Sequence, residues 1–529
     1  MRARFDLAAP WLLALALAGL WLAVAPPTPD LAAQAYRSDL FAREGFTIWN
    51  GAWYGGHHTP GYSLLFPPLG ALIGPRLVGA AAAVVSAVLF AHIIRHHLGP
   101  GSAAARWAAL WFAAATATDL LIGRLTFGLG VTVGLACVLA AQRGRPRLAV
   151  VLAAGCTLAS PVAGLFLAMC GAAAWLADRR RLGLAIAGAA MAPALVISIS
   201  FPEGGAQPFS SGALLAIVLF SGVVLVAAPA RERAVRAGAA LYIASALLAF
   251  VVASPMGGNA SRLGAMFAGP VLVAVAVGRV PRGALAVAVV PLLLWQWYAP
   301  VRETLKGATD PSADAAYYTP LLRFLEGRAD AADRVEIPFT RLHWEAVHVA
   351  REHPLSRGWL TQLDVKYNAP IRGDGGHRLT AAEYRTWLIG QHVRFVAIPD
   401  APLDPSAREA ARIIAARPGF LRPVWSNRNW QVFEVHGTRP RGAAELERLG
   451  AESFTVRVHR RGVRLLPVRW TPYWRIVDGS GCLAPSRTGW TMLHTREPGT
   501  ITVHARFDVR RVVSRGRICA QDGSLVTSG

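Results

Sequence analysis

Between residues 9 and 299 the chain is a succession of apolar runs of membrane-crossing length, and that feature excludes most soluble folds. A span needs roughly 20 mainly apolar residues to cross the hydrocarbon core. Such runs lie at 9–25, 77–94, 103–121, 124–141, 182–200, 211–229, 237–254, 264–279 and 283–299. Residues 148–177 form a longer apolar stretch broken by Ser160-Pro161, which reads as two short helices folded back on each other. Together these segments predict about eleven crossings. Composition agrees, since 54% of the 529 residues are hydrophobic and only 16% are charged, too little charge for an ordinary soluble chain of this length. The chain reads as an integral membrane protein.

Arginine placement orients the spans. Arg2 and Arg4, the stretch from Arg95 to Arg106, and the clusters at 143–147, 178–181, 231–236 and 278–282 fall on one side under alternation, and that side is read as cytoplasmic. The hairpin reading of 148–177 keeps both flanking clusters there. The N-terminus is then inside, whereas residues 26–75, 201–210, 255–263 and everything after about residue 300 are outside. The opening residues also have the basic, apolar and small-residue order of a signal peptide; with so many spans following, an uncleaved anchor is expected.

The net charge of +23 follows partly from the cytoplasmic arginines and partly from the C-terminal portion. There it would face anionic headgroups or an anionic envelope polymer, and no nucleic-acid partner is expected. Cys137, Cys156 and Cys170 lie in apolar runs and read as small buried hydrophobes. Cys482 and Cys519 lie beyond the spans, where a disulfide between them is open to an oxidising compartment. No cysteine or histidine spacing marks a structural metal.

After Pro300 hydropathy falls and charge rises. Residues 301–440 mix short apolar strands such as "RVEIPF" and "VRFVAIP" with helical patterns and predict a small α/β domain. Residues 452–516 alternate in "SFTVRVHRRGVRLLPVRW" and "TITVHARFDVRR", as in a β-sandwich-like unit. Residues 517–529 read as a tail.

The stretch 36–69 is unusual in the first half, because it carries Arg37, Asp39, Glu44, Trp49, Trp53, Tyr54, His57 and His58 between apolar segments. Ionisable groups near membrane depth need a partner or a wet cavity and are functional candidates. Aromatic faces suit sugar contact, and a carboxylate within hydrogen-bond reach can take a proton from a hydroxyl. Other expected outer loops also carry charge near the membrane: Asp119 and Arg124, Glu203, and Arg262 behind a glycine-rich turn at a helix start. A guanidinium beside helix N–H groups can bind phosphate. Arg357, Trp359, Gln362 and Asp364 gather in the following domain, where a buried tryptophan turn is the simpler reading than glycan contact. "GLGVTVG" at 128–134 lies inside an apolar run and reads as helix packing.

The chain resembles the GT-C superfamily of polytopic membrane glycosyltransferases in layout: an inside N-terminus, a large first outer loop with an acidic residue, many spans and an outer C-terminal domain. "GFTIWNGAWYGGHHTPGYSLLFPPL" resembles the corresponding loop of bacterial GT-C-like proteins, and "RWTPYWRIVDGSG" with "REPGTITVHARF" resembles the outer β-domain of proteins that glycosylate teichoic acids. The resemblance implies a polyprenyl-phosphate sugar donor, and an envelope glycan or lipid acceptor is expected with it. It makes Asp39 the general base, with Glu44 beside it. Arg262 and Arg124 then bind the donor phosphate with His57 and His58, while Arg37, Trp49, Trp53, Tyr54 and Glu203 contact sugar or acceptor. Many family members carry two adjacent acids where this chain has Asp39 and, five residues on, Glu44; a divalent cation is allowed but not required. The alternatives are a non-catalytic envelope assembly protein and a transporter or flippase.

Overall fold

A computed structural model describes residues 2–372, 378–437 and 444–514. The chain divides into two compact units, one of Met1–Arg43, Gly61–Ser198 and Gly204–Thr309, the other of Glu44–Pro60, Ile199–Glu203 and Asp310–Gly529.

The first unit is helical: α1 (Arg2–Val24), α2 (Pro29–Glu44), α3 (Phe66–Ile73), α4 (Pro75–Leu98), α5 (Ala103–Ile122), α6 (Leu125–Gln142), α7 (Pro146–Ala159), α8 (Pro161–Asp178), α9 (Arg181–Ser200), α10 (Ser211–Ala227), α11 (Arg233–Val251), α12 (Ser261–Ala276) and α13 (Arg282–Gly307). Each apolar run read as a crossing is a helix. Among the described residues seven are long and apolar enough to cross a membrane, or eight when the bent pair α1 and α2 counts as one span. This is a multi-pass membrane protein. The count of about eleven goes beyond what length and composition qualify: α7 and α10 have 14 and 17 residues and at about 1.5 Å per residue fall short of the roughly 30 Å core, and α5, though 20 residues long, carries Arg106 and Asp119 and is not among the helices apolar enough to qualify.

The break in 148–177 lies where Ser160-Pro161 was expected to place it. Ser160 is extended, its side chain caps α8 by accepting from the Ala163 N–H, and Pro161 takes the first helical position. α7 and α8 pack on each other. Small residues bring the helices close, as read for 128–134: a Cβ on Gly130 would stand 2.6 Å from that of Ala163.

Residues 26–75 are not a continuous loop. After the Pro26-Pro27 stop the chain turns through 80° into α2. Pro29 opens this helix, Asp30 stands in its first turn and Arg43 in its last, the charge order that suits the helix dipole.

Among the described residues the second unit has four sheets. A two-residue ladder joins β1 (Trp49–Asn50) to β2 (His57–His58). The α/β part contains α14 (Ala315–Leu325), β3 (Arg334–Glu336), α15 (Glu345–His348), α16 (Thr361–Arg372), α17 (Ala381–Gly390), β4 (Val393–Pro399), α18 (Arg408–Ala415), β5 (Leu421–Ser426) and β6 (Trp430–Val435), with strand order β3-β4-β6-β5. β3 and β4 are parallel and the rest antiparallel. Then come β7 (Ala444–Leu449), β8 (Ser453–Val458), β9 (Gly462–Arg469), β10 (Trp474–Asp478), β11 (Cys482–Pro485), β12 (Trp490–Thr495), β13 (Gly499–Ala505) and α19 (Val509–Ser514). They form sheets β10-β13-β8-β7 and β11-β12-β9. Val456 and Val503 of the first sheet share one core with Val468, Leu483 and Leu493 of the second, which makes a sandwich. It begins at 444 rather than 452, while Cys519 and the tail 517–529 lie outside the described residues.

Candidate functional site

In the helical unit, polar side chains converge from α2, the stretch after it, the α5–α6 turn and α12. Asp30, Gln34 and Arg37 are spaced four and three apart, so α2 presents them as one stripe. Gln34 Nε2 donates to the Tyr62 hydroxyl at 2.7 Å, and the Arg37 guanidinium lies 4.2 Å from the centre of the Tyr62 ring. Arg124 Nε is 3.7 Å from Asp30 Oδ2. Asp119 interacts electrostatically with Arg124, Arg262 and Asp30, and Arg262 faces the Phe127 ring at 5.7 Å. Gln34, Arg37 and Asp119 are buried.

The turn that carries Arg124 has one local cause. Gly123 ends α5 at φ +86°, and its N–H and that of Arg124 both bond the Asp119 carbonyl, each at 2.9 Å. A Cβ there would stand 2.5 Å from both Leu31 N and Thr28 Oγ1. The turn therefore lies directly against the start of α2, which brings Arg124 to Asp30.

Arg124 lies against Asp30, Arg124 and Arg262 both act on Asp119, and Arg37 lies over the Tyr62 ring, so three guanidiniums gather with two carboxylates in largely buried surroundings, where charge interactions are strong. Arg262 Nε and Asp119 Oδ2 are buried atoms with no hydrogen-bond partner among the described residues. Next to Arg262 a cavity of about 390 Å³ runs among α6, α7, α8, α10, α11 and α12, lined by apolar groups including Phe127, Leu135, Phe166, Leu263, Gly264 and Phe267. Phe127 is both a wall of this cavity and the ring that Arg262 faces. A guanidinium facing the Phe127 ring that also walls an apolar slot suits an amphiphile with an anionic head.

The residues expected to act divide between the two units. Arg37, Arg124 and Arg262 are brought together as above. Asp39 is not with them: nine positions from Asp30, it lies half a turn round α2 at about 100° per residue, with Arg43 Nε 3.1 Å from its Oδ2. Glu44 is exposed at the end of α2.

Trp49, Trp53, Tyr54, His57 and His58, expected to touch ligand, are all buried in the second unit. Trp49 joins the sandwich core. Trp53 Nε1 donates to the Ala346 carbonyl at 2.9 Å, and the Tyr54 hydroxyl to that of Leu360 at 2.8 Å. His57 stacks on Trp53. His58 pairs through Nε2 with Thr471 at 2.9 Å and through Nδ1 with Glu203 at 2.7 Å. Burial opposes charge on Glu203, yet the hydrogen bond and charge of His58 hold its carboxyl below the usual range. These groups pin residues 44–60 into the second unit, a packing role that aromatic and histidine content alone does not distinguish from ligand contact. Arg357 and Asp364 are buried in a two-point ion pair, with Trp359 and Gln362 half-buried near them in sequence.

Asp30, Gln34 and Tyr62 had no place in the expected site, and Asp119 had no role. The spacing of Asp30, Gln34 and Arg37 was the available signal, but it speaks only once 29–44 is known to be helical. Asp30 and Asp119 are matched by arginines rather than gathered with further ligands, and among the described residues no three His, Cys, Asp or Glu side chains are placed to hold a metal ion. A resident divalent cation does not fit this donor set. Compared with known proteins, the chain matches no protein-family model and no curated sequence.

Proposed function

We propose that this protein is a membrane glycosyltransferase that moves a sugar from a polyprenyl-phosphate donor to an envelope glycan or lipid acceptor on the outer face of the cytoplasmic membrane. The observation that carries this reading is the Arg124 and Arg262 pair beside an apolar cavity, with Asp30 next to the arginines. The cavity takes the isoprenoid chain, and the guanidiniums take the phosphate through charge-assisted hydrogen bonds.

Asp30 takes the role of general base in place of Asp39, because it lies on the face of α2 that carries Gln34 and Arg37 and is 3.7 Å from Arg124. The acceptor hydroxyl gives its proton to the Asp30 carboxylate, and its oxygen bonds to the anomeric carbon. The bond from that carbon to the phosphate oxygen breaks, and the lipid phosphate leaves with the electron pair. Arg124 and Arg262 stabilise that charge, an effect that is large where water is excluded. Gln34, Tyr62 and Arg37 hold the face of α2 on which the base stands.

The test is mass spectrometry of lipid-linked sugars and envelope glycans in cells making the native chain or Asp30→Asn at matched expression. The variant is expected to accumulate one polyprenyl-phosphate sugar and to lose one glycan residue. Identical profiles would remove Asp30 from the chemistry and favour an assembly or transport role.

A further inference from the structure

Within the second unit, Arg334 at the start of β3 and Arg469 at the end of β9 are 1% and 6% exposed. Both guanidiniums lie over the Trp490 ring, 4.7 and 4.2 Å from its centre. Their hydrogen bonds go to neutral acceptors. Arg334 donates through Nη1 to the Gln391 carbonyl at 2.8 Å and through Nη2 to the Pro467 carbonyl, while its Nε is buried with no partner among the described residues. Arg469 donates through Nε to the Tyr54 carbonyl at 2.8 Å and through Nη2 to Gln391 Oε1 at 3.2 Å, which leaves Nη1 unbonded among the described residues. Arg357 and Arg394, the other buried arginines described in this unit, are instead paired with Asp364 and Asp333.

The uncompensated charge is felt by its neighbours. Burial and the nearby Arg469 hold Arg334 down to about 9, and burial holds Arg469 to about 10 against the pull of Tyr367 and Glu203. His392, whose ring stands 5.2 Å from that of Trp490, is held to about 4 by burial and by both arginines. The pair also has a way out. Gly489 is exposed, and a Cβ on it would stand 3.6 Å from Arg469 Nη1. The Arg469 guanidinium lies 3.8 Å from the centre of the Tyr367 ring, and the exposed Lys366 Nζ lies 4.8 Å from the same centre. Glu203, the carboxylate that acts on both Arg469 and Lys366, is already held by His58 Nδ1 at 2.7 Å. Three cations thus gather around one engaged acid.

We propose that Arg469 Nη1 and Lys366 Nζ bind the oxygens of a phosphate group at this opening, with Arg334 behind them supplying positive potential. A guanidinium and an ammonium both donate charge-assisted hydrogen bonds to phosphate oxygens, and the low hydration around Arg469 strengthens the attraction. Arg334 touches no ligand; it acts through its charge on the shared Trp490 face. The anion would supply the negative charge that the protein itself provides for Arg357 and Arg394 but not for this pair. The site involves none of the arginines of the helical unit, so it stands or falls separately from the transfer reaction.

The experiment modifies accessible guanidiniums with butanedione in the full-length chain, held in dodecyl maltoside, a detergent without phosphate, and maps them by peptide mass spectrometry. Ionic strength is kept constant with chloride while inorganic phosphate or glycerophosphoglycerol, a soluble phosphodiester, is added. Arg469 is expected to react in chloride and to be protected several-fold by phosphate, whereas the exposed Arg487 is not protected. Lys366→Gln, a change at an exposed position, should remove most of that protection and leave the Tm native. Protection by the diester as strong as by inorganic phosphate supports the site and assigns it to a polymer or lipid phosphate; protection by inorganic phosphate alone supports it and assigns a free anion or monoester. An Arg469 that does not react in chloride, equal protection at Arg487, or undiminished protection in Lys366→Gln would overturn the proposal.

Discussion

Arg124 Nε lies 3.7 Å from Asp30 Oδ2, one residue in the turn that opens α6 and the other in the first turn of α2. Asp39, on the same helix, instead meets Arg43 four residues on. Two carboxylates in one helix thus have different surroundings, and they should respond differently to removal.

Asp30→Asn should lower sugar transfer by about a hundred-fold or more, the range for losing a general base. Asp39→Asn should leave it within a few-fold, because a partly exposed pair at this spacing contributes only about 0.3–0.5 kcal/mol. Transfer assays on both variants in native membranes check this. Equal loss in the two would place the base on neither face in particular.

Arg262→Gln should lower the catalytic rate by about a hundred- to a thousand-fold, as expected for a group that stabilises a leaving phosphate. Arg262→Lys should recover part of it, since an ammonium keeps the charge without the planar fork. Single-turnover rates with a defined lipid-phosphate sugar would separate this from a loss of donor binding.

Gly123→Ala should disturb the site without touching a ligand. The residue has φ +86°, and its new Cβ would meet Leu31 N and Thr28 Oγ1 at 2.5 Å, so the start of α2 must move. A left-handed non-glycine residue alone costs about 1–3 kcal/mol. A lower Tm in detergent together with reduced transfer is expected; native behaviour in both would show that the turn tolerates displacement.

Arg357→Ala should destabilise the second unit by up to about 3–5 kcal/mol, because it leaves the buried Asp364 carboxylate with no cation beyond the longer 3.5 Å contact to Arg372. In the native protein Arg357 donates to both oxygens of Asp364, at 3.0 and 2.8 Å, and Asn368 donates to Oδ1 at 2.9 Å. Arg357→Met combined with Asp364→Leu should be closer to native than the single variant. Chemical denaturation followed by the near-ultraviolet tryptophan signal reads the difference.

Glu336 should make stability depend on pH. Burial raises its carboxyl to about 7, against the opposing pull of Arg357 and the Ser356 hydroxyl. A carboxyl raised on folding binds its proton more tightly in the native state, so its contribution is complete below the unfolded value near 4.5 and is lost as pH rises through about 7. Tm should fall over that interval, and Glu336→Gln, which keeps an uncharged side chain of the same length, should flatten the slope. A slope unchanged in the variant would assign it to another group.

What the sequence determined by itself was local. Apolar runs of about twenty residues have few alternatives to helix in a bilayer, since every backbone N–H and C=O must be bonded within the segment. That is why each expected crossing is a helix, why Ser160-Pro161 breaks where it does, and why strands at 393–399 and 453–458 could be read from their β-rich and alternating patterns. Only the tertiary structure decided which polar groups meet. Trp53 finds the Ala346 carbonyl 293 positions away, and His58 finds Thr471 413 positions away; nothing in the spacing of "WYGGHH" foretells such partners. Likewise Asp30 and Arg124 are 94 positions apart in the numbering and come together only through the Gly123 turn against α2. The physical reason is that apolar burial is set by each segment against its solvent, whereas a buried polar group is stabilised only by the particular donor or acceptor that packing brings to it.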